Sequence, residues 1–419
     1  MNPRYEAKVI EVFADFVKHG LVYKKLKPVH WSIANQTALA DAELEYADRD
    51  DPSVYVEFPV TNPGEFKGKF DLREPGKVTL LIWTTTPWTL PANVAICAGP
   101  DVDYDIVRVG ERMTVIASAL REQVLALGEA ASAAVLKTVK GSDLEGVGYD
   151  HVFLDGGDRR VLPADYVTTT DGTGLVHTAP GHGEDDYQTG LKFGLDVYCP
   201  VDPAGRFDST TPNWLTGLTV WEANPVIEER LKDDGTLFAS KPIHHSYPHD
   251  WRSKTPTIFR ATEQWFISLD KAYDGKTMRE RAVEVANSTP FHPGWGRQRL
   301  LGMLEGRPDW CISRQRAWGL PIPVFYNAAN EPLLTEESVR AVSRAFAKHG
   351  SDAWWKLEPA ELLEGCDPGP DFPAGKLRKE TDIFDVWFES GSSWHAVLNA
   401  RDNLPDAPAS LYLEGSDQH

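Results

Sequence analysis

Between Asp51 and Lys241 the sequence is a succession of short β-branched and aromatic runs, among them SVYVEFPV, KVTLLIWTTT, VAICAG, YDIVRV and GLVHTAP, bounded by glycine and proline. Runs of this length and spacing predict short strands in a closed, barrel-like or sandwich-like β domain. One helix interrupts them, Ser118 to Leu127, with Ser118 as its expected cap and Gly128 as its stop. The flanks have another texture. Tyr5, Val9, Val12, Phe13 and Phe16 recur at helical spacing ahead of Gly20, and Thr335 opens a second helix that carries Val339, Val342 and Phe346 and ends near Gly350. TIFRATEQWFISL and WCISRQRAWGLPIPVFY read as isolated strands between helical pieces, and LYLEGSDQH as a strand running into a turn. The expected fold class is therefore α/β and β, a β domain inserted into an α/β protein, and 419 residues suffice for two to three domains.

Composition removes several classes. No apolar run approaches the ~18–20 residues that span a bilayer, and the opening MNPRYEAKVIEVF has none of the uninterrupted apolar stretch of a signal peptide. Cys97, Cys199, Cys311 and Cys366 are scattered without a C-x-x-C pair, which argues against a disulfide framework and a thiolate zinc site and fits a reducing cytoplasm. Net charge is −19, from 43 basic and 62 acidic residues, which by itself argues against a nucleic-acid partner.

Two polar clusters stand out in the β-rich part. LLIWTTTPWTLPAN (80–93) is a buried strand that delivers Thr84, Thr85 and Thr86 to a proline-fixed turn, so that at least one hydroxyl should face a cleft. GTGLVHTAPGHGEDDY (172–187) gathers His177, His182, Glu184, Asp185 and Asp186 among glycines that let backbone approach a ligand closely. Neither fits the G-x-G-x-x-G, P-loop or G-x-S-x-G patterns. His244, His245, His249 and Asp250 lack a further cluster at ligand spacing, so no metal is expected there. Spacing alone stops at a β domain with a polar cleft.

Five segments in order, WTTTPWTLPAN, GTGLVHTAPGHGEDDY, DWCISRQRAWGLPIPV, DVWFESGS and YLEGSDQH, carry a closer likeness. Together they resemble the central part of the bacterial isoleucyl-tRNA synthetases, class I aminoacyl-tRNA synthetases, over nearly the whole chain. The valyl and leucyl relatives carry Thr-Thr-Arg-Pro where this sequence has Thr85-Thr86-Pro87-Trp88. The family's His-Ile-Gly-His and Lys-Met-Ser-Lys-Ser signatures and its anticodon-binding domain are not in this sequence. Two cysteine-bearing segments of many relatives also differ here, reading Trp31-Ser32-Ile33-Ala34-Asn35 and His249-Asp250.

The resemblance implies a barrel-like editing domain at 51–243 inserted into an incomplete Rossmann-type catalytic domain. Residues 1–50 would end its first half, 244–326 return to it, 327–378 form a smaller peripheral insertion, and 379–419 belong to its second half. The parent reaction joins isoleucine to tRNA(Ile) with ATP and Mg²⁺ in a monomeric enzyme. A missing methylene is worth only about 1–3 kcal/mol of discrimination, and isoleucine against valine is the standard illustration of that limit, which is why a second, hydrolytic site exists.

By that resemblance Asp186 would hold the α-ammonium of a misattached valine and His177 would line its side-chain pocket. Thr84, Thr85, Thr86 and Asn93, flanked by Trp83 and Trp88, would contact the terminal adenosine and the ester and orient water, with no cofactor. Trp387 would line the isoleucine pocket of the synthetic site, while Glu414, Gly415, Asp417 and Gln418 would meet the adenylate. ISRQRAWG (312–319) would touch the tRNA acceptor end or form a solvated face. Two other readings are a non-catalytic module that binds the acceptor end and a free-standing trans-editing hydrolase.

Overall fold

The computed structural model describes residues 2–128, 133–404 and 408–413. The chain divides into two compact units, one of residues 1–26, 37–43 and 263–419, the other of residues 27–36 and 44–262.

The first unit is built on the amphipathic helix Pro3–Lys18, capped by the Asn2 side chain and followed by Gly20 at φ +65°. Val9, Ile10 and Phe13 are sealed into its core. The helix Glu336–His349, capped by Thr335, is the other main contributor. Residues 327–378 thus supply Val339, Val342 and Phe346 to the same core that the first helix enters, and Ser343 donates a hydrogen bond to the Ala7 carbonyl at 2.9 Å.

Within this unit the sequence pattern misleads at one motif. Arg314, expected to touch RNA or water, is 1% exposed. Its guanidinium binds Glu43 and Asp385 at 2.8–2.9 Å and the Cys311 and Ser313 carbonyls at 2.9 and 2.8 Å. Arg316 adds a second cation to Glu43 at 3.0 Å, and Gln315 is spent on Gln264 and Asp382. A buried cation survives only when its donors are all satisfied, and two carboxylates plus two carbonyls do that here. Ala317 and Trp318 are instead the exposed side chains of the motif. Another expectation fails at Leu411–Leu413, which form no strand and are exposed. A strand needs a neighbour's backbone to complete its hydrogen bonds, and these three residues belong to no sheet among the described residues.

The second unit holds the β-rich part. A six-stranded sheet runs in the order Leu237–Asp250, Leu44–Pro59, Lys77–Thr84, Arg112–Ala117, Asp103–Val109 and Ala134–Lys140. A three-stranded sheet runs Leu175–Thr178, Ala95–Ala98, Val161–Pro163. The two end strands of the large sheet differ and do not pair, so the expected closed barrel is absent among the described residues: these are two open mixed sheets. Lys77–Thr84 lies inside the larger one, pairing antiparallel with Leu44–Pro59 and parallel with Arg112–Ala117. Its run Val78, Leu80, Leu81, Ile82 is buried without alternation, as a strand covered on both faces requires. The interrupting helix is Arg121–Leu127, and it ends at Gly128 as expected. Its cap residue is Leu120, however, because Ser118 still belongs to the preceding turn, bound through its amide to the Asp103 carbonyl.

Arg314→Met would leave Asp385 buried without a cation and Glu43 held by Arg316 alone among the described residues. It is expected to destabilise the first unit by about 3–5 kcal/mol in denaturant melts.

Candidate functional site

The second unit contains a cleft of about 350 Å³ where the end of one strand faces a glycine-rich turn. The strand Lys77–Thr84 stops at Thr84, and the chain turns through the short helical segment Pro87–Ala92. Strand alternation ends with it, which is why Trp83, Thr84, Thr85 and Thr86 all line the cleft rather than only every second residue. The opposite wall is Thr168, Thr170, Asp171 and the turn of Gly172 and Gly174, both at φ +77°. A Cβ at Gly172 would lie 2.8 Å from the Trp83 ring, and one at Gly174 would lie 2.3 Å from the Ala117 Cβ. Only glycine fits this turn.

His177 enters from the strand Leu175–Thr178, paired with Ile96, and both of its nitrogens are engaged. Asn93 fixes the tautomer. Its amide nitrogen donates to the Ala95 carbonyl, an acceptor only, and to His177 Nδ1, both at 2.9 Å, while its carbonyl oxygen accepts from Tyr149 at 2.7 Å. The imidazole proton therefore sits on Nε2 and is donated to Thr89 Oγ1 at 2.9 Å. Thr89 donates onward to the Thr86 carbonyl at 2.9 Å, and its hydroxyl lies 3.4 Å from that of Thr86. Burial, with His182 adding to it, pushes the imidazole down to about 3, so the ring is neutral near pH 7.

Asp186 lies in the first turn of the helix Glu184–Phe193, and its Oδ2 accepts from the Ala179 amide at 2.9 Å. Burial raises its carboxyl to about 6 and neighbouring Asp185 adds to the rise, against the Ala179 hydrogen bond and His182. The cleft thus combines a carboxylate that ionises near pH 6, a neutral imidazole and a row of hydroxyls. It can receive a cation and polar oxygens, and it presents no nucleophile activated by an adjacent base.

Asp186, His177, Thr84, Thr85, Thr86 and Trp83 come together here. Asn93 and Trp88 do not. Asn93 is 1% exposed and stands behind His177, bordering a separate hollow of about 500 Å³ with Arg159 and Tyr198. Trp88 is buried with its ring edge-to-face against His182 at 5.0 Å. The sequence reading missed Thr89, Thr168, Thr170 and Asp171. The signal was present as a second threonine triplet, Thr168–Thr169–Thr170, immediately before Asp171 and the glycine turn. In the first unit Trp387 is partly buried in the helix Val386–Gly391, whose cap Asp385 accepts from its amide. Glu414, Gly415, Asp417 and Gln418 lie outside the described residues. Among the described residues no three His, Cys, Asp or Glu converge as a metal site, and no helix is long and apolar enough to cross a membrane.

The family tRNA synthetases class I (I, L, M and V) matches residues 1–419. The chain belongs to the class I tRNA synthetases. It is similar to the isoleucine–tRNA ligase of Geobacillus thermodenitrificans, with 49% identity over all 419 of its residues and 44% of that protein. The class I chain described here therefore spans 44% of the length of the curated relatives it matches. Among solved structures it is similar to the one titled "The crystal structure of GlLeuRS-CP1", at TM-score 0.38 and 16% identity over 47% of this chain and 100% of that one. Another is the P. knowlesi cytosolic leucyl-tRNA synthetase editing domain, at TM-score 0.36 and 11% identity over 47% of this chain and 97% of that one.

His151, like His177, is buried and held down to about 3, by desolvation first and then by Arg159. In the unfolded chain each would bind a proton near pH 6.5. Their contribution to stability is therefore complete above about pH 6.5 and is lost as pH falls toward 3, at up to about 1.4 kcal/mol per pH unit for each group. Chemical denaturation of His151→Gln between pH 6.5 and 4.5 is expected to show a shallower loss of stability than that of the parent chain.

Proposed function

We propose that this chain is the central part of an isoleucine–tRNA ligase and that its second unit is the editing domain, hydrolysing valine from mischarged tRNA(Ile). The observation that carries the reading is the single cleft that gathers Trp83, the Thr84–Thr86 row, His177 and Asp186. The family membership and the 49% identity to isoleucine–tRNA ligases support the parent activity, ATP-dependent attachment of isoleucine with Mg²⁺, in a cytoplasmic enzyme. Its adenylate site would use Trp387 and the segment 414–418.

In the editing step the ionised Asp186 pairs with the α-ammonium of the valyl ester. His177, neutral and held at both nitrogens, forms a stiff wall beside the aliphatic side chain and excludes the extra methylene of isoleucine. Trp83 and the threonine hydroxyls hold the terminal adenosine and orient a water molecule. Its oxygen attacks the ester carbonyl carbon, the ester C–O bond breaks, and the departing ribose oxygen takes up the water's proton, assisted by the neighbouring ribose hydroxyl. No covalent acyl-enzyme forms. Asn93 acts through His177 as a positioning residue rather than by touching the ester.

The test is deacylation of Val-tRNA(Ile) and Ile-tRNA(Ile) by the 419-residue chain. Valine is expected to be released at least about tenfold faster than isoleucine. The rate should climb as pH rises through about 6, where Asp186 ionises, and be lost in Asp186→Ala. An Asp186→Ala chain that deacylates at the parent rate would overturn the role of Asp186. Tight binding of the charged tRNA with both esters intact would favour a binding module instead.

A further inference from the structure

Behind the Gly181–His182 wall of the cleft, three segments of the second unit meet at one thiol. The Ala261 amide donates to the Gly181 carbonyl at 2.8 Å, and a Cβ at Gly181 would lie 2.3 Å from the Tyr198 carbonyl oxygen and 2.9 Å from Cys199 Cβ. Arg260 donates through Nε to the Val201 carbonyl at 2.7 Å, two residues beyond Cys199. The His182 Nδ1–H donates to the Phe259 carbonyl at 2.9 Å, which leaves Nε2 as the free end of the ring. His182 is only 8% exposed, and that Nε2 is buried without a conventional hydrogen-bond partner.

The group coupled to this nitrogen is the partly buried Cys199 thiol. The imidazole and the Arg260 guanidinium outweigh desolvation and draw the thiol down to about 7. Cys199 raises His182 in return, and Tyr198, Asp202, His177 and Asp186 are the other titratable groups that bear on the cluster. The remaining cysteines go the other way. Burial raises Cys97, Cys311 (to about 11) and Cys366.

We propose that Cys199 is a modification site, a thiol that exchanges with low-molecular-weight disulfides, with His182 and Arg260 as the groups that hold its anion. In the exchange the Cys199 sulfur attacks one sulfur of the disulfide, a new S–S bond forms and the old one breaks. The departing thiolate takes the proton that the imidazole had received from Cys199, so that a mixed disulfide and one free thiol result. Because the backbones at Gly181 and Tyr198 already touch, the adduct must stand outward or displace the cleft wall. The inference rests on this cluster and not on the editing reaction.

The test is site-resolved mass spectrometry of the whole chain. With iodoacetamide at pH 7, Cys199 is expected to be alkylated about five- to tenfold faster than Cys366. Its larger thiolate fraction outweighs the lower nucleophilicity of a more acidic thiol. The rate at Cys199 should inflect near pH 7, and oxidised glutathione should leave its mixed disulfide there first. His182→Gln should slow alkylation at pH 7 severalfold and move the inflection upward. Equal rates at Cys199 and Cys366, or an inflection near that of a free thiol, would overturn the proposal. Should His182→Gln fail to fold, the pH profile of the unaltered chain decides alone.

Discussion

The strand Leu44–Pro59 is hydrogen-bonded along both edges, to Leu237–Asp250 on one side and to Lys77–Thr84 on the other. The geometry of the second unit follows from that double pairing. Side chains alternate along a strand, so a slip of one residue would send Val54, Val56 and Phe58 to the face that Tyr55 and Glu57 fill and bury Glu57 on theirs. The register is therefore held by burial. It also decides where the neighbour ends, since Val54 pairs with Thr84, the last residue before the turn that carries the cleft's hydroxyls. His177 is placed by a second register, through Ile96. A polar cleft thus comes from the register of two sheets.

The environments of Arg314 and Asp186 handle buried charge in opposite ways. Around Arg314 each donor has an acceptor and each carboxylate has a cation, and the result is inert. Around Asp186 the carboxylate has one backbone donor, no cation in hydrogen-bond contact among the described residues, and a like charge next door. An under-compensated carboxylate is a burden to folding and an asset to binding, because an arriving ammonium supplies what the fold omits.

Much of this was legible in the sequence. The β-branched runs became the strands expected of them because burial on both faces demands such residues. The first helix and its glycine stop, and Thr335 as a cap, follow from local chemistry alone. Sheet closure was not legible, because it depends on which end strands meet. Arg314 looked like a solvated base because sequence does not reveal that Glu43 and Asp385, distant along the chain, converge on it. In the cleft, the residues of the two polar motifs did assemble. Asn93 read as a ligand contact because its position in the turn is visible and its orientation is not. Thr89 and Asp171 were missed because each looks like ordinary turn chemistry until the opposite wall is in place.

The Asn93 amide has one more consequence. Its orientation is set by the Ala95 carbonyl, which can only accept, and it forces the His177 proton outward onto Thr89. Thr89 spends its own proton on the Thr86 carbonyl, so any bond between the Thr86 and Thr89 hydroxyls must run from Thr86 to Thr89. Thr84 already accepts from the Thr86 amide, and its proton is left for the Thr86 oxygen 3.2 Å away or for the cleft. One side-chain amide thereby directs the hydroxyls of Thr89 and Thr86. Whatever oxygen enters the cleft meets a sequence of donors and acceptors whose polarity was chosen several residues behind the wall, and which turns over only if that amide does.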